Sequence, residues 1–210
     1  MNKIDNVTLS RRTLLRGGSL YGSGLLMALT VPRPLAAAAA QQSKDPAIFT
    51  AEQWQTVAAI AARIIPTDHQ PGATEANCVN FIDKALANED VESRIDFDAG
   101  LTALESLCRG QLGKSFIDLP PAEQDRVLRS MEAGTSTQWP AEGIADMDFF
   151  ELVRAMTIMG FMADPKYGGN AEFSGWKVAR YPGPRHHQGG YTPAQMQGEE
   201  EIITIWGGKM

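Results

Sequence analysis

The sequence predicts a mainly α-helical protein: a small domain of about five helices, followed by a long irregular arm rich in Gly, Pro and aromatic residues. Three observations carry this reading. Between Thr50 and Ala163, apolar residues recur at helical spacing in runs stopped by Pro or Gly. Residues 1–40 have the make-up of a targeting segment, which leaves about 170 residues, enough for one domain with its own core. From Asp164 onward nine Gly and four Pro fall within 47 residues, too many breakers for long helices, yet Tyr167, Phe173, Trp176, Tyr181, Tyr191 and Trp206 are kept. Disordered tails are poor in aromatics, so the arm is expected to be ordered against the domain, a partner, or both.

The first helix is announced by Thr50 as N-cap with Gln53 at the third position, a capping box, and by Phe49 and Trp54 as a hydrophobic staple. Trp54, Val57, Ala58, Ala61, Ile64 and Ile65 form its stripe, and Pro66 stops it. A second helix is expected from Thr74 to Asn88, with Val79, Phe81, Ile82, Ala85 and Leu86 on its apolar side and Cys78 one turn before Ile82. A third, Val91 to Gln111, carries Ile95, Leu101, Leu104, Leu107 and Cys108 and ends at Gly110 and Gly113. Pro120-Pro121 opens a fourth, with Val127, Leu128 and Met131 inward and Gly134 as its end. The fifth, Asp146 to Ala163, leaves few polar positions, so it is expected to be central, or partly covered by another chain. Its four methionines suit either place. Ile202 to Trp206 can form a short terminal strand.

The N-terminal segment is specific. Arg11-Arg12 stands ahead of a mildly apolar, Gly-containing run, Gly17 to Val31, which is too short to cross a bilayer of about 30 Å. Pro32-Arg33-Pro34 closes the run, and Leu35 with Ala36 to Ala40 offers small-residue cleavage sites. This is the pattern of a twin-arginine signal, which implies folding in the cytoplasm and work in the periplasm. The expected organisation is a cleaved signal over 1–40, a helical domain over 41–163 and an arm over 164–210.

Charge excludes some partners. Residues 1–40 hold five of the 19 basic and one of the 25 acidic residues, so the remainder stands at −10 against −6 for the whole. Nucleic acid and anionic lipid both demand a basic face. The two cysteines, Cys78 and Cys108, are too few for an iron–sulfur cluster. In an oxidising compartment they can pair with each other, stay as buried free thiols, or bridge to another chain. No dinucleotide fingerprint, phosphate loop, nucleophile elbow or haem-attachment motif occurs, so no cofactor is expected in this chain. The residues for a metal site are His69 beside Asp68 and the adjacent His186 and His187. They would make the chain an independent metalloenzyme if a loop brought them together.

Three blocks carry a resemblance: Ile64-Ile65-Pro66-Thr67-Asp68 through Pro71-Gly72-Ala73 and Phe81-Ile82-Asp83; Phe149-Phe150-Glu151-Leu152-Val153; and Gly160 through Asn170, followed by Gly175-Trp176-Lys177 and Tyr181-Pro182-Gly183. In order and spacing they resemble the small (gamma, third) subunit of the membrane-bound gluconate 2-dehydrogenase family, over most of residues 50–185. The resemblance implies a complex with a large flavoprotein of the glucose–methanol–choline type carrying FAD, and a multihaem cytochrome c subunit on the membrane carrying haem c. It implies that the small subunit binds the large one, supports its maturation and takes it through the twin-arginine translocase, with no catalytic residue of its own. The expected contact is the turn holding Tyr167, Gly168, Gly169 and Asn170, with Trp176. A free-standing periplasmic binding module is the remaining alternative.

Overall fold

The computed structural model describes residues 46–185 and 190–205. Arg11, Arg12, His186, His187, Trp206 and the expected signal segment lie outside the described residues.

The expected helical fold class holds. The helices are α1 (Ala51–Ile64), α2 (Cys78–Asn88), α3 (Arg94–Leu112), α4 (Pro121–Glu132), α5 (Asp146–Met162), and the short α6 (Ser174–Ala179) and α7 (Pro193–Gln197). The capping box of α1 forms: Thr50 Oγ1 accepts from Gln53 N at 3.2 Å, and Gln53 Oε1 accepts from Thr50 N at 2.9 Å. Phe49 and Trp54 are both buried.

α2 starts one turn later than its composition suggests. Ala73 N–H turns back to Ile65 O, and Asn77 adopts left-handed backbone, so residues 74–77 make turns and the helix begins at Cys78. α3 is preceded by a 3-10 turn, Val91–Ser93, and capped by left-handed Gly113. Ile95, expected on its apolar side, is exposed. The buried face is set by Phe97, Leu101, Leu104 and Cys108, which repeat at three- and four-residue steps, and Ile95 lies on the opposite side of that helix.

α5 is central, packing against each of α1, α2, α3 and α4. Phe149 joins a run of rings, with centroids 5.8 Å from Phe97 and 6.1 Å from Trp139, while Phe97 stacks on Phe49 at 5.7 Å. α5 is not covered on every side, however: Met147 and Met159 are each 47% exposed. α1 is tied to α4 by Arg63, whose guanidinium forks onto Asp125 with two bonds of 2.6 Å. This pair is largely buried and bidentate, the geometry in which an Arg–carboxylate pair is strongest.

Asp83 is the deepest charged side chain of the helical body. It points inward from α2, and its carboxylate accepts the backbone N–H groups of Ala47, Ile48 and Phe49, the last two at 3.0 and 2.8 Å. A buried carboxylate is tolerable only when its lone pairs are met, and here three main-chain donors meet them.

Beyond α5 the chain makes 3-10 turns at Pro165–Tyr167 and Ala171–Phe173 before α6. Ile203 N–H bonds Pro182 O at 3.3 Å as an isolated bridge, not the start of a strand. No helix among the described residues is long and apolar enough to cross a membrane.

Candidate partner-binding site

The end of α5 poses a chemical problem that the following residues solve. The last four carbonyls of a helix lack intrahelical donors. In α5 the Met159 carbonyl takes Ala163 N at 2.7 Å, and the Gly160 carbonyl takes Asn170 N at 2.7 Å. The Met162 carbonyl takes the Trp176 indole N–H at 2.7 Å, and the Ala163 carbonyl takes Asn170 Nδ2 at 2.8 Å. Asn170 completes the clamp by accepting Gly175 N–H on Oδ1 at 2.8 Å. Its own backbone is left-handed (φ 45°), a conformation Asn adopts more readily than most residues.

Two glycines are required by close approach. A Cβ at Gly169 would stand 2.2 Å from the Gly160 carbonyl oxygen, and one at Gly175 would stand 1.8 Å from that of Phe161. Both neighbours are helix backbone and cannot swing away.

The clamp builds a wall. Asp164 caps the Pro165–Tyr167 turn by accepting Lys166 N–H at 3.0 Å, and Asn80 on α2 donates to Gly168 O at 2.7 Å. Tyr167 is thereby held beside the cleft between α2 and α5. That cleft is an open groove of about 810 Å³ with Phe81, Met159, Met162 and Tyr167 among its apolar lining, and Lys84 and Lys166 in its charged lining. Gly160 lets the two helices come close, since a Cβ there would lie 3.1 Å from the Phe81 Cβ.

The structure thus divides the residues expected at a partner contact. Asn170 is fully buried, and Trp176 is 4% exposed, against Phe173 at 5.4 Å and Tyr181 at 5.0 Å between ring centroids. Gly168 and Gly169 serve the clamp. Tyr167 alone of the group is exposed, at 43% of its surface. Tyr181 in turn meets Tyr191, and burial together with that neighbour pushes its phenol up to about 12.

Cys78 and Cys108 are both buried and carry free thiols, one at the start of α2 and one in the last turns of α3. Burial drives the Cys78 thiol far above its ordinary range, and burial with the nearby Glu105 pushes Cys108 up to about 12. Nucleophilic attack needs a thiolate, so in this setting both are inert. His69 is exposed and sits 3.3 Å from Asp68. Among the described residues no three His, Cys, Asp or Glu side chains gather in a way that could hold a metal ion.

Sequence reasoning missed Asp83, Asn80 and the lysine pair of the groove. Asp83 had a readable signal: it falls one turn after Val79 and one turn before Leu86, on the apolar side of α2, where a lone carboxylate requires donors.

Fold and site define a small helical protein whose C-terminal cap on one core helix shapes an exposed apolar groove. The chain belongs to the gluconate 2-dehydrogenase subunit 3 family, whose model matches residues 51–183, more than half of its length. No curated protein matches the chain, and no solved structure does.

Proposed function

We propose that this chain is the non-catalytic small subunit of a membrane-bound, periplasm-facing dehydrogenase for gluconate or a related sugar or sugar acid. It binds the large flavoprotein subunit in the cytoplasm, supports its maturation and carries it through the twin-arginine translocase. The family match carries this reading, because it makes the chain one component of a gluconate 2-dehydrogenase. Arg11-Arg12 and the weakly apolar run behind them supply the address. FAD belongs to the large subunit, and haem c to a cytochrome subunit that passes electrons on at the membrane. The complex, and not this chain, then provides the attachment to the inner membrane.

The test is co-expression with the flavoprotein subunit after changing Arg11 and Arg12 together to Lys, which keeps charge but removes the guanidinium pair. Both proteins should then remain in the cytoplasmic fraction. Undiminished export of the flavoprotein overturns the escort role. Stoichiometric zinc or iron in the purified chain would favour the metalloenzyme built on His69, His186 and His187.

A further inference from the structure

We infer that the groove between α2 and α5 is the docking site for an apolar segment of the partner subunit that carries carboxylates along its edge. This rests on the reading that the chain works in a complex, and it says where and by what chemistry the partner is held.

The floor is the first argument. Met159 leaves 47% of its surface exposed on a helix that packs against α1, α2, α3 and α4, and it sits beside Phe81, Met162 and Tyr167. Thioethers and an aromatic ring adapt to an incoming apolar side chain at low entropic cost. The wall is built in advance: Tyr167 rides on a turn fixed by Asp164, Asn80 and Asn170, so little ordering remains to be done on binding.

Charge then selects the occupant. Four lysines lie among the described residues, and two of them, Lys84 and Lys166, line this one groove, with Glu89 the single acidic lining residue. Six of the eight arginines there are paired with carboxylates of the chain itself: Arg63, Arg94, Arg109, Arg126, Arg154 and Arg185. Lys84 is exposed and makes no such pair among the described residues. A net-positive groove on a chain of formal charge −6 favours a partner surface with acidic groups at that point and repels one elsewhere, which sets register as well as affinity.

Met147 is the internal control. It lies on the same helix and is also 47% exposed, but it does not line the groove. The experiment is recovery of the flavoprotein subunit with the full chain after co-expression, with thermal melts of each variant to confirm folding. Met159→Glu should lower recovery by about tenfold or more, the range of an apolar anchor at the centre of an interface. Lys84→Glu should lower it severalfold, and Lys84→Met should remove most of the weakening that added salt causes in the parent. Met147→Glu should match the parent.

Equal loss with Met147→Glu, or full recovery with both Met159→Glu and Lys84→Glu, overturns the assignment of the groove while leaving the complex standing. A dimer of the chain that Met159→Glu dissociates, with flavoprotein recovery unchanged, assigns the groove to a second copy and also overturns it. Failure of the parent to recover any flavoprotein removes the functional reading, and this inference with it. Lys84 is exposed, so its variants keep the test decisive should Met159→Glu fold poorly.

Discussion

The helical body and the segment that caps α5 are held by different physics. In the body, Val57, Ile60, Ile82, Leu86, Leu104 and Met156 are buried among many neighbours, and no single one defines the arrangement. Dispersion and apolar burial are distributed over such contacts, so the loss of one methyl group is felt modestly. Between residues 160 and 176 the contacts are few and specific: two donors from Asn170, one from the Trp176 indole, and two glycines laid against carbonyl oxygens. A core tolerates change in volume better than a clamp tolerates change in shape, and this protein puts the clamp next to an open groove with an apolar floor.

The largest effect that separates the two regions is expected from Gly175→Ala. The added methyl has a helix carbonyl 1.8 Å away, so α6 must move off α5, at a cost of about 3 kcal/mol. Urea unfolding should show the loss, and amide exchange should show residues 170–176 losing protection first. Little change in either measurement would mean that the clamp yields as easily as the core. Ile60→Val, in the centre of α1, should cost only about 1 kcal/mol and leave exchange in 170–176 untouched. A comparable cost in the two variants would erase the distinction.

The smallest effect concerns a polar group inside the body. Burial raises the Glu105 carboxyl above its ordinary range, against the lowering effect of the Thr56 hydroxyl, the Phe116 N–H and Arg109, with Glu52 adding to the rise. A carboxyl raised in the folded state holds its proton more tightly there than in the unfolded chain. Its contribution to stability is therefore present below the ordinary carboxylate range and is lost as pH climbs through the folded value. Glu105→Gln keeps an acceptor oxygen and does not titrate. Its melting temperature relative to the parent should rise between about pH 4 and pH 7. A flat difference across that window would show that Glu105 is as comfortable charged as the donors around it suggest.

Local chemistry made much of this fold readable. Thr50 and Gln53 form their box, Pro66 follows the end of α1, Pro121 begins α4, and the mostly apolar run from Met147 to Met162 is the central helix. Long-range bonds set what could not be read. α2 loses its first turn to a bond between Ala73 and Ile65, and Ile95 is exposed because Phe97 fixes the buried face of α3. The candidate site was legible in part. The Tyr167–Asn170 turn stood out as aromatic, glycine-rich and following a helix. That Asn170 and Trp176 would spend their polar atoms on the carbonyls of α5 depends on a register seven to fourteen residues away. Lys84 and Lys166 come together only because α2 packs along α5, and no local pattern records that.

Asp83 gives the molecule a mechanical property. The segment Ala47 to Phe49 is fastened to a core helix through three main-chain bonds that end on one buried carboxylate. Tension applied at Ala47 therefore reaches the core helix α2 through the Asp83 side chain, and loss of that one carboxylate would release all three bonds together.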